Sequence, residues 1–375
     1  MLSAIQLEQR LLQFTREKLA PAQTAHLVTV DTRLFEDGVI DSLRILELIA
    51  FLQSALDRGI PDSQIVLANF RSIATIARVF TGVESLTERR RVRRTTATRT
   101  HAPRTAVDEL LARRALEITP DGALRMHGAV AALRDFFDNT VCGWASELGA
   151  TGMTYPEDIA IETLDRAGFL SAFPDKLVRT QDAARSPAVC YHHYPTLAES
   201  SISVIGSIAT ALGRCYRNEF DRDAAQPVER LREFTMREII TVGSPQMVET
   251  VRADLMTRVQ RWLKELALDG TIETATDPFF TDESRGRLLM QQLLPLKYEL
   301  RLRVAGDRTV AAASFNNHHD HFGKAFGIRM SNGETAHSGC VAFGWERWVI
   351  GFVSQHGPDE RNWPLSVRND VAASA

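Results

Sequence analysis

Cysteine is scarce in this chain of 375 residues: four are present, at positions 142, 190, 215 and 340, and no two form a Cys-x-x-Cys pair. A chain this long buries enough core to need no disulfide staples, so reduced thiols are expected, with metal ligation as the other role to weigh. A run of eighteen apolar residues is also missing, which excludes a hydrophobic transmembrane helix and leaves no membrane partner to expect. The N-terminal stretch MLSAIQLEQRLLQF is amphipathic, carries Glu8 and Arg10, and has no small-residue cleavage pattern behind an apolar core. It does not read as a secretory signal, and a cytoplasmic location is the expectation. What is present is ordinary for globular protein, with 44% hydrophobic and 24% charged residues in a length that allows two or three domains.

The formal net charge of −3 is unevenly spread. Residues 1–82 are close to neutral, whereas residues 83–105 hold seven arginines (89, 90, 91, 93, 94, 99 and 104) against Glu84 and Glu88. Threonine, alanine and proline accompany the arginines without apolar periodicity, which favours a solvated linker over a basic docking strip. A flexible chain of that length spans about 25–30 Å. Three parts follow: residues 1–82, a linker at 83–105, and a larger unit at 106–375.

In the first part, apolar residues recur at helical spacing from Leu2 to Leu19, and Pro21 ends that helix. A loop containing Leu34 and Phe35 leads to Asp41 and Ser42 at the start of a second, strongly apolar helix. Gly59 and Pro61 break it, and a last helix runs from about Ser72 to Phe80. With no strand signal, a four-helix bundle is expected. The larger unit predicts helices at 107–116, 128–149, 197–212 and 245–267, and a final helix from about 345. It predicts strands at 215–220, 232–242, 298–304, 309–315, 325–330 and 340–343. Without a βαβ rhythm this reads as α+β with an antiparallel sheet flanked by helices.

Two constellations carry chemistry. The first is Leu34-Phe35-Glu36-Asp37-Gly38-Val39-Ile40-Asp41-Ser42-Leu43. A serine at a helix start behind a loop is exposed to modification, and helix-start amides favour a phosphodiester there, although serine is also a common plain cap. The second is Cys215-Tyr216-Arg217-Asn218-Glu219-Phe220, a polar loop, and Leu231-Arg232-Glu233-Phe234-Thr235-Met236-Arg237-Glu238. Arginines at both ends of such a hairpin, Arg217 on one side with Arg230 and Arg232 on the other, suit a polyanion, and Phe234 can stack on a base. A solvated hairpin with a charged rim reads equally well from periodicity alone.

Residues 1–82 resemble acyl and peptidyl carrier proteins, in the loop just quoted, the apolar second helix and the closing ANFRSIATIARVF. The resemblance implies 4′-phosphopantetheine on Ser42, attached by a phosphopantetheinyl transferase. Arg44 and the near-neutral charge depart from the carrier pattern. The second constellation resembles motif 2 of class II aminoacyl-tRNA synthetases, and Gly339-Cys340-Val341-Ala342-Phe343-Gly344-Trp345-Glu346-Arg347 resembles their motif 3. That resemblance implies catalytic roles for Arg217, Glu219 and Arg347. ATP would be held by Arg217, Glu219, Arg230, Arg232, Phe234 and Arg347, with Mg²⁺. The proline of Ala172-Phe173-Pro174-Asp175 is a motif 1 candidate and implies a homodimer.

Further segments, Ala188-Val189-Cys190-Tyr191-His192-His193-Tyr194-Pro195, Asp277-Pro278-Phe279-Phe280 and Ser314-Phe315-Asn316-Asn317-His318-His319-Asp320-His321-Phe322-Gly323 among them, narrow the likeness. Together they resemble amino acid:[carrier protein] ligases, truncated relatives of methanogen-type seryl-tRNA synthetases, over about residues 107–365. The likeness implies Zn²⁺ held by Cys190, Glu238 and Cys340, a small amino acid activated with ATP (glycine or alanine favoured, serine or another small residue left open), and delivery to a carrier domain in cis or in trans, without tRNA. It also implies that a helical insertion at about 244–280 docks the carrier; a helix that merely covers the sheet is the plainer alternative. His192, His193, His318, His319 and His321 are expected to pack or to touch substrate rather than bind metal. Cys142 and Cys215 read as structural, Trp345 and Trp348 as packing, and Lys297 and Asn317 as possible substrate contacts. Two other classes stay open: an inactive synthetase fold that only docks the carrier, and a tRNA-charging enzyme gripping tRNA through the arginine run.

Overall fold

The computed structural model describes residues 3–20, 25–34, 39–40, 44–60, 64, 67–81, 105–220, 227–275 and 297–374. Ser42, the arginine run, the loop at 221–226 and Asp277-Pro278-Phe279-Phe280 lie outside the described residues. The described residues fall into two compact units.

The first unit contains α1 (Ala4–Phe14), α2 (Arg44–Leu56) and α3 (Ile73–Thr81). A capping box starts α1: the Ser3 side chain accepts from Gln6 N–H, and the Gln6 side chain accepts from Ser3 N–H. Leu7, Leu11, Ile45, Leu48, Leu52, Ile76 and Phe80 build a common core. The expected fourth helix does not appear among the described residues; 3-10 turns at Ala25–Leu27 and Leu67–Phe70 stand between the helices instead. Arg44, the oddity of the carrier-like segment, donates to the Leu19 carbonyl at 2.7 Å. Ile40 N–H donates to the Leu34 carbonyl at 2.9 Å, so the chain entering the serine segment is tied to its own base.

The second unit is built on seven strands: β1 (Thr151–Gly152), β2 (Ser207–Tyr216), β3 (Glu233–Gly243), β4 (Gly270–Thr274), β5 (Lys297–Ala305), β6 (Arg308–His319) and β7 (His337–Gly344). Their order is β1-β2-β3-β7-β6-β5-β4. Six of the strands pair antiparallel, as expected, but β1 lies parallel to β2, so the sheet is mixed. The predicted helix at 197–212 is overturned, because most of β2 occupies it. Pairing with β3 along its whole length overrides the helical propensity of its alanines and leucine. Of the strand expected at 215–220, Cys215 and Tyr216 alone belong to β2. Residues 325–330 supply the end of a short helix (His321–Phe326) and a two-residue strand.

Helices α4 (Ala129–Glu147), α5 (Pro245–Glu265) and α6 (Trp345–His356) supply the core on one sheet face. Phe137, Leu255, Val259, Trp262, Trp348 and Phe352 pack there against Ile239, Phe315, Val341 and Phe343. Within the described part of the segment expected as a helical insertion, 244–275, a sheet-covering helix is followed by an edge strand, β4. Trp345 and Trp348 are fully buried, as packing requires. Trp345 Nε1 donates to Asp138 at 2.9 Å, and the same carboxylate takes two hydrogen bonds from Arg237, at 2.9 and 2.6 Å.

That pair ties α4 to β3 and α6. Asp138→Ala is expected to cost about 3–5 kcal/mol, because it leaves the largely buried Arg237 charge uncompensated. All five tryptophans belong to this unit, so its urea transition can be followed by tryptophan fluorescence, and an unshifted midpoint would disprove the role.

Candidate functional site

The opposite sheet face carries the chemistry. Side chains alternate along a strand, so Met236 and Glu238 of β3, Ser314 and Asn316 of β6, and Cys340 and Ala342 of β7 face the same way. They line a cavity of about 730 Å³. Cys340 sits directly opposite Asn316 on one side and Ile240 on the other, which leaves Glu238 as its diagonal neighbour. Cys190 arrives from the 3-10 turn Val189–His192, packed over β3. The Val189 N–H of that turn donates to Glu238 Oε1 at 2.8 Å.

These contacts bring two sulfurs and a carboxylate oxygen within 4.8 Å of one another, all buried, and no other such group occurs among the described residues. Glu238 Oε2 is buried without a hydrogen-bond partner. The Cys340 contact, burial and the Glu238 charge push the Cys190 thiol well above its ordinary range. Contact with Cys190 pulls Cys340 down, but burial and Glu238 outweigh it, and burial also raises Glu238. Crowding and burial thus disfavour the ionised forms of all three groups, and a divalent cation bound among them would relieve that penalty. Two cysteine sulfurs and a carboxylate whose Oε2 has no partner fit a thiophilic ion with a fourth position left open.

At the other end, arginines and lysines line the cavity among carboxylates. Arg217 follows β2 directly; its N–H donates to the Arg232 carbonyl at 2.9 Å, and its guanidinium lies 5.1 Å from the Phe234 ring centroid and donates to the Pro187 carbonyl at 3.3 Å. Arg347, in the first turn of α6, reaches the Glu229 and Ala311 carbonyls at 3.1 Å. Burial and the nearby Arg217 charge hold its guanidinium below its ordinary pKa. Arg230 lines the cavity as well. Glu219 is paired with Lys176 at 2.7 Å; burial raises its pKa, and Lys176 with Arg217 more than reverses this. Such a ring of fixed cations suits a polyphosphate.

Nine expected site residues are described, and eight line this cavity: Cys190, Arg217, Glu219, Arg230, Phe234, Glu238, Cys340 and Arg347. Arg232 does not; it is exposed, with its Cβ against Gly122. Asn317 is likewise excluded, because alternation turns it to the other face, where it bonds Glu249 and caps His319 N–H. Lys297 lines the cavity, paired with Glu299 at 2.7 Å. None of the five histidines lines it. His318 contacts Tyr194 and Ser338 and is pushed down to about 3 by burial, His192 stacks on Tyr155, and His193 shares a hydrogen bond with that tyrosine. Cys215 is buried, whereas Cys142 is exposed and has no packing role. Pro174, of the motif 1 candidate, begins a 3-10 turn, and its neighbours Phe173 and Asp175 line the cavity. Lys176, Asn316 and Glu346 also line the cavity, although residue type and motif assign them no role. Glu346 accepts Thr235 N–H with both oxygens at 2.9 Å and locks α6 to β3.

No protein-family model matches the chain. Solved structures similar to it are synthetases. Seryl-tRNA synthetase from M. kandleri, crystallised with a tRNASec of A. aeolicus, superposes with a TM-score of 0.65 at 20% identity, over 80% of this chain and 67% of that one. The ATP complex of seryl-tRNA synthetase from Pyrococcus horikoshii gives 0.60 at 12%, over 71% and 62%. The second unit thus has the fold of class II aminoacyl-tRNA synthetases. Amino acid--[acyl-carrier-protein] ligase 1 of Bradyrhizobium diazoefficiens is 30% identical over 254 residues, 60% of this chain and 77% of its own length. Ligase 2 of the same organism is 31% identical over 248 residues, 58% and 73%, and the type-2 serine--tRNA ligase of Methanopyrus kandleri is 25% identical over 283 residues, 62% and 52%. The chain belongs to the amino acid--[acyl-carrier-protein] ligase family.

Glu238→Gln keeps the oxygen that Val189 N–H needs but removes the charge. Affinity for a thiophilic divalent ion is expected to fall by more than the roughly 10–100-fold typical of losing an outer-shell partner. Competition with a chromophoric chelator measures it, and unchanged affinity would exclude Glu238 as a ligand.

Proposed function

We propose that this protein activates a small amino acid, glycine or alanine, as its adenylate and delivers it to the phosphopantetheine thiol of a carrier, its own N-terminal unit through Ser42. One observation carries the reading: the Cys190–Glu238–Cys340 cluster and the Arg217–Phe234–Arg347 group line one cavity. In this reading Cys190, Glu238 and Cys340 hold Zn²⁺, which when bound supplies a Lewis-acidic position for the substrate's free amino group. Arg217 and Glu219 face the α-phosphate with its Mg²⁺, Phe234 stacks on adenine, and Arg230 and Arg347 neutralise the outer phosphates.

The residues act by position and charge. The carboxylate oxygen of the amino acid attacks the α-phosphorus, the bond to the leaving phosphate breaks, and pyrophosphate departs into the cation ring. The activated carbonyl carbon then passes to the carrier thiol as a thioester, with AMP as the leaving group. The thiol proton passes to solvent or to the departing AMP phosphate, and no protein nucleophile is needed. A homodimer and a cytoplasmic location complete the proposal. The carrier-like segment around Ser42 and the linkage of both units in one chain support loading in cis.

ATP–pyrophosphate exchange with a panel of amino acids tests the chemistry. Exchange with glycine or alanine is expected, Arg347→Ala should slow it by about 100-fold or more, and Cys190→Ala should abolish it. Absence of exchange with every small amino acid would refute the reading, and exchange only when tRNA is the acceptor would point to a tRNA ligase. Intact mass after phosphopantetheinylation and incubation with ATP and amino acids tests the acceptor. The wild type should gain the arm and one aminoacyl group, and Ser42→Ala neither; an unloaded arm with a competent active site would show that the carrier is a separate protein.

A further inference from the structure

Asn316 is 3% exposed, lines the cavity, and stands directly across from Cys340 in the β6–β7 ladder. Its amide nitrogen is committed. It reaches the Ser314 hydroxyl at 3.0 Å, the Cys340 carbonyl at 3.3 Å and the Cys340 sulfur at 3.4 Å. The Cys340 backbone carbonyl can only accept, so the amide is held with its nitrogen toward Cys340. Turning it over would set oxygen against the carbonyl oxygen and the sulfur. The consequence is that Asn316 Oδ1 is buried without any hydrogen-bond partner. A desolvated acceptor on the wall of a ligand cavity is complete once a ligand supplies an N–H or O–H. The donor common to every candidate amino acid, glycine and alanine included, is the α-amino group.

We propose that Asn316 joins the donor cluster to the substrate: its amide N–H orients the Cys340 sulfur, and its carbonyl accepts a hydrogen bond from the α-amino group of the bound amino acid. The inference rests on the amino-acid-activating reading. Under it, Asn316 is a specificity residue that favours a free amine over an acylated one, since an acylated nitrogen has fewer N–H groups to give. It also fixes a metal ligand from outside, as hydrogen bonds to a coordinating sulfur do.

The test uses full-length Asn316→Ala loaded with zinc, with its thermal midpoint and KM for ATP as controls on folding. The KM for the preferred amino acid in pyrophosphate exchange is expected to rise about tenfold or more. The KM for ATP should stay put, and zinc affinity by chelator competition should fall about 10–100-fold. Calorimetric titration of the amino acid alone should show the same weakening. If Asn316→Ala does not fold, Asn316→Ser carries the same expectation, because its side chain is too short to span sulfur and substrate. An unchanged amino-acid KM in a variant that still exchanges would overturn the inference while leaving the proposed function intact. A KM rise confined to serine would assign the oxygen to a side-chain hydroxyl and overturn it as well. Wild-type protein that exchanges with no amino acid would defeat the proposed function itself, and this inference with it.

Discussion

Two sulfurs and a carboxylate held together out of water set the terms for the rest of the catalytic unit. Such a group is unfavourable unless its members are held rigidly and offered a cation. The rigidity comes from the sheet: Cys340 and Glu238 are diagonal neighbours on β7 and β3, both deep in the central ladder. Cys190 is the outlier in chain and in structure. It belongs to a turn, and the Val189 amide that bonds Glu238 registers this turn on the sheet. One hydrogen bond therefore both places the third donor and satisfies half of the carboxylate.

The same sheet explains why the cavity has two chemically different ends. β3 supplies Glu238 to one and Phe234 to the other, and β7 supplies Cys340 before its chain turns into α6 and delivers Arg347. Behind this face, α4, α5 and α6 bury an aromatic cluster against the sheet, and the Arg237–Asp138–Trp345 network fastens helices to strand. The site residues sit on strands or helix starts whose reverse sides are packed, which suits catalysis by fixed charge and fixed distance.

Much of this was legible in the residues. The resemblance carried by Arg217, Phe234 and Glu238, and by the turn from Gly339 to Arg347, named the candidates before any geometry, and eight of the nine described ones share one cavity. The errors have identifiable causes. Residues 197–212 carry alanine, isoleucine and leucine that suit a helix in isolation, and pairing with β3 decided otherwise. Asn317 was singled out where Asn316 lines the cavity; the two differ only in strand parity, which a β-bulge before His319 and the uncertain ends of β6 concealed. Arg232 shares the charge of its neighbours but faces away from the cavity.

By itself the sequence determined the clearly periodic helices, through residue type and local spacing, and the family, through resemblance to known motifs. Tertiary structure alone decided which residues meet. Cys190 and Cys340 are 150 positions apart in the chain, and only the ladder of β3, β7 and β6, with the turn laid over it, sets them beside Glu238. Hydrogen-bond accounting in the folded state then isolated two unfilled oxygens among the cavity-lining residues, on Glu238 and Asn316. Whether a buried polar atom has a partner is a property of the packed chain, and no residue pattern states it.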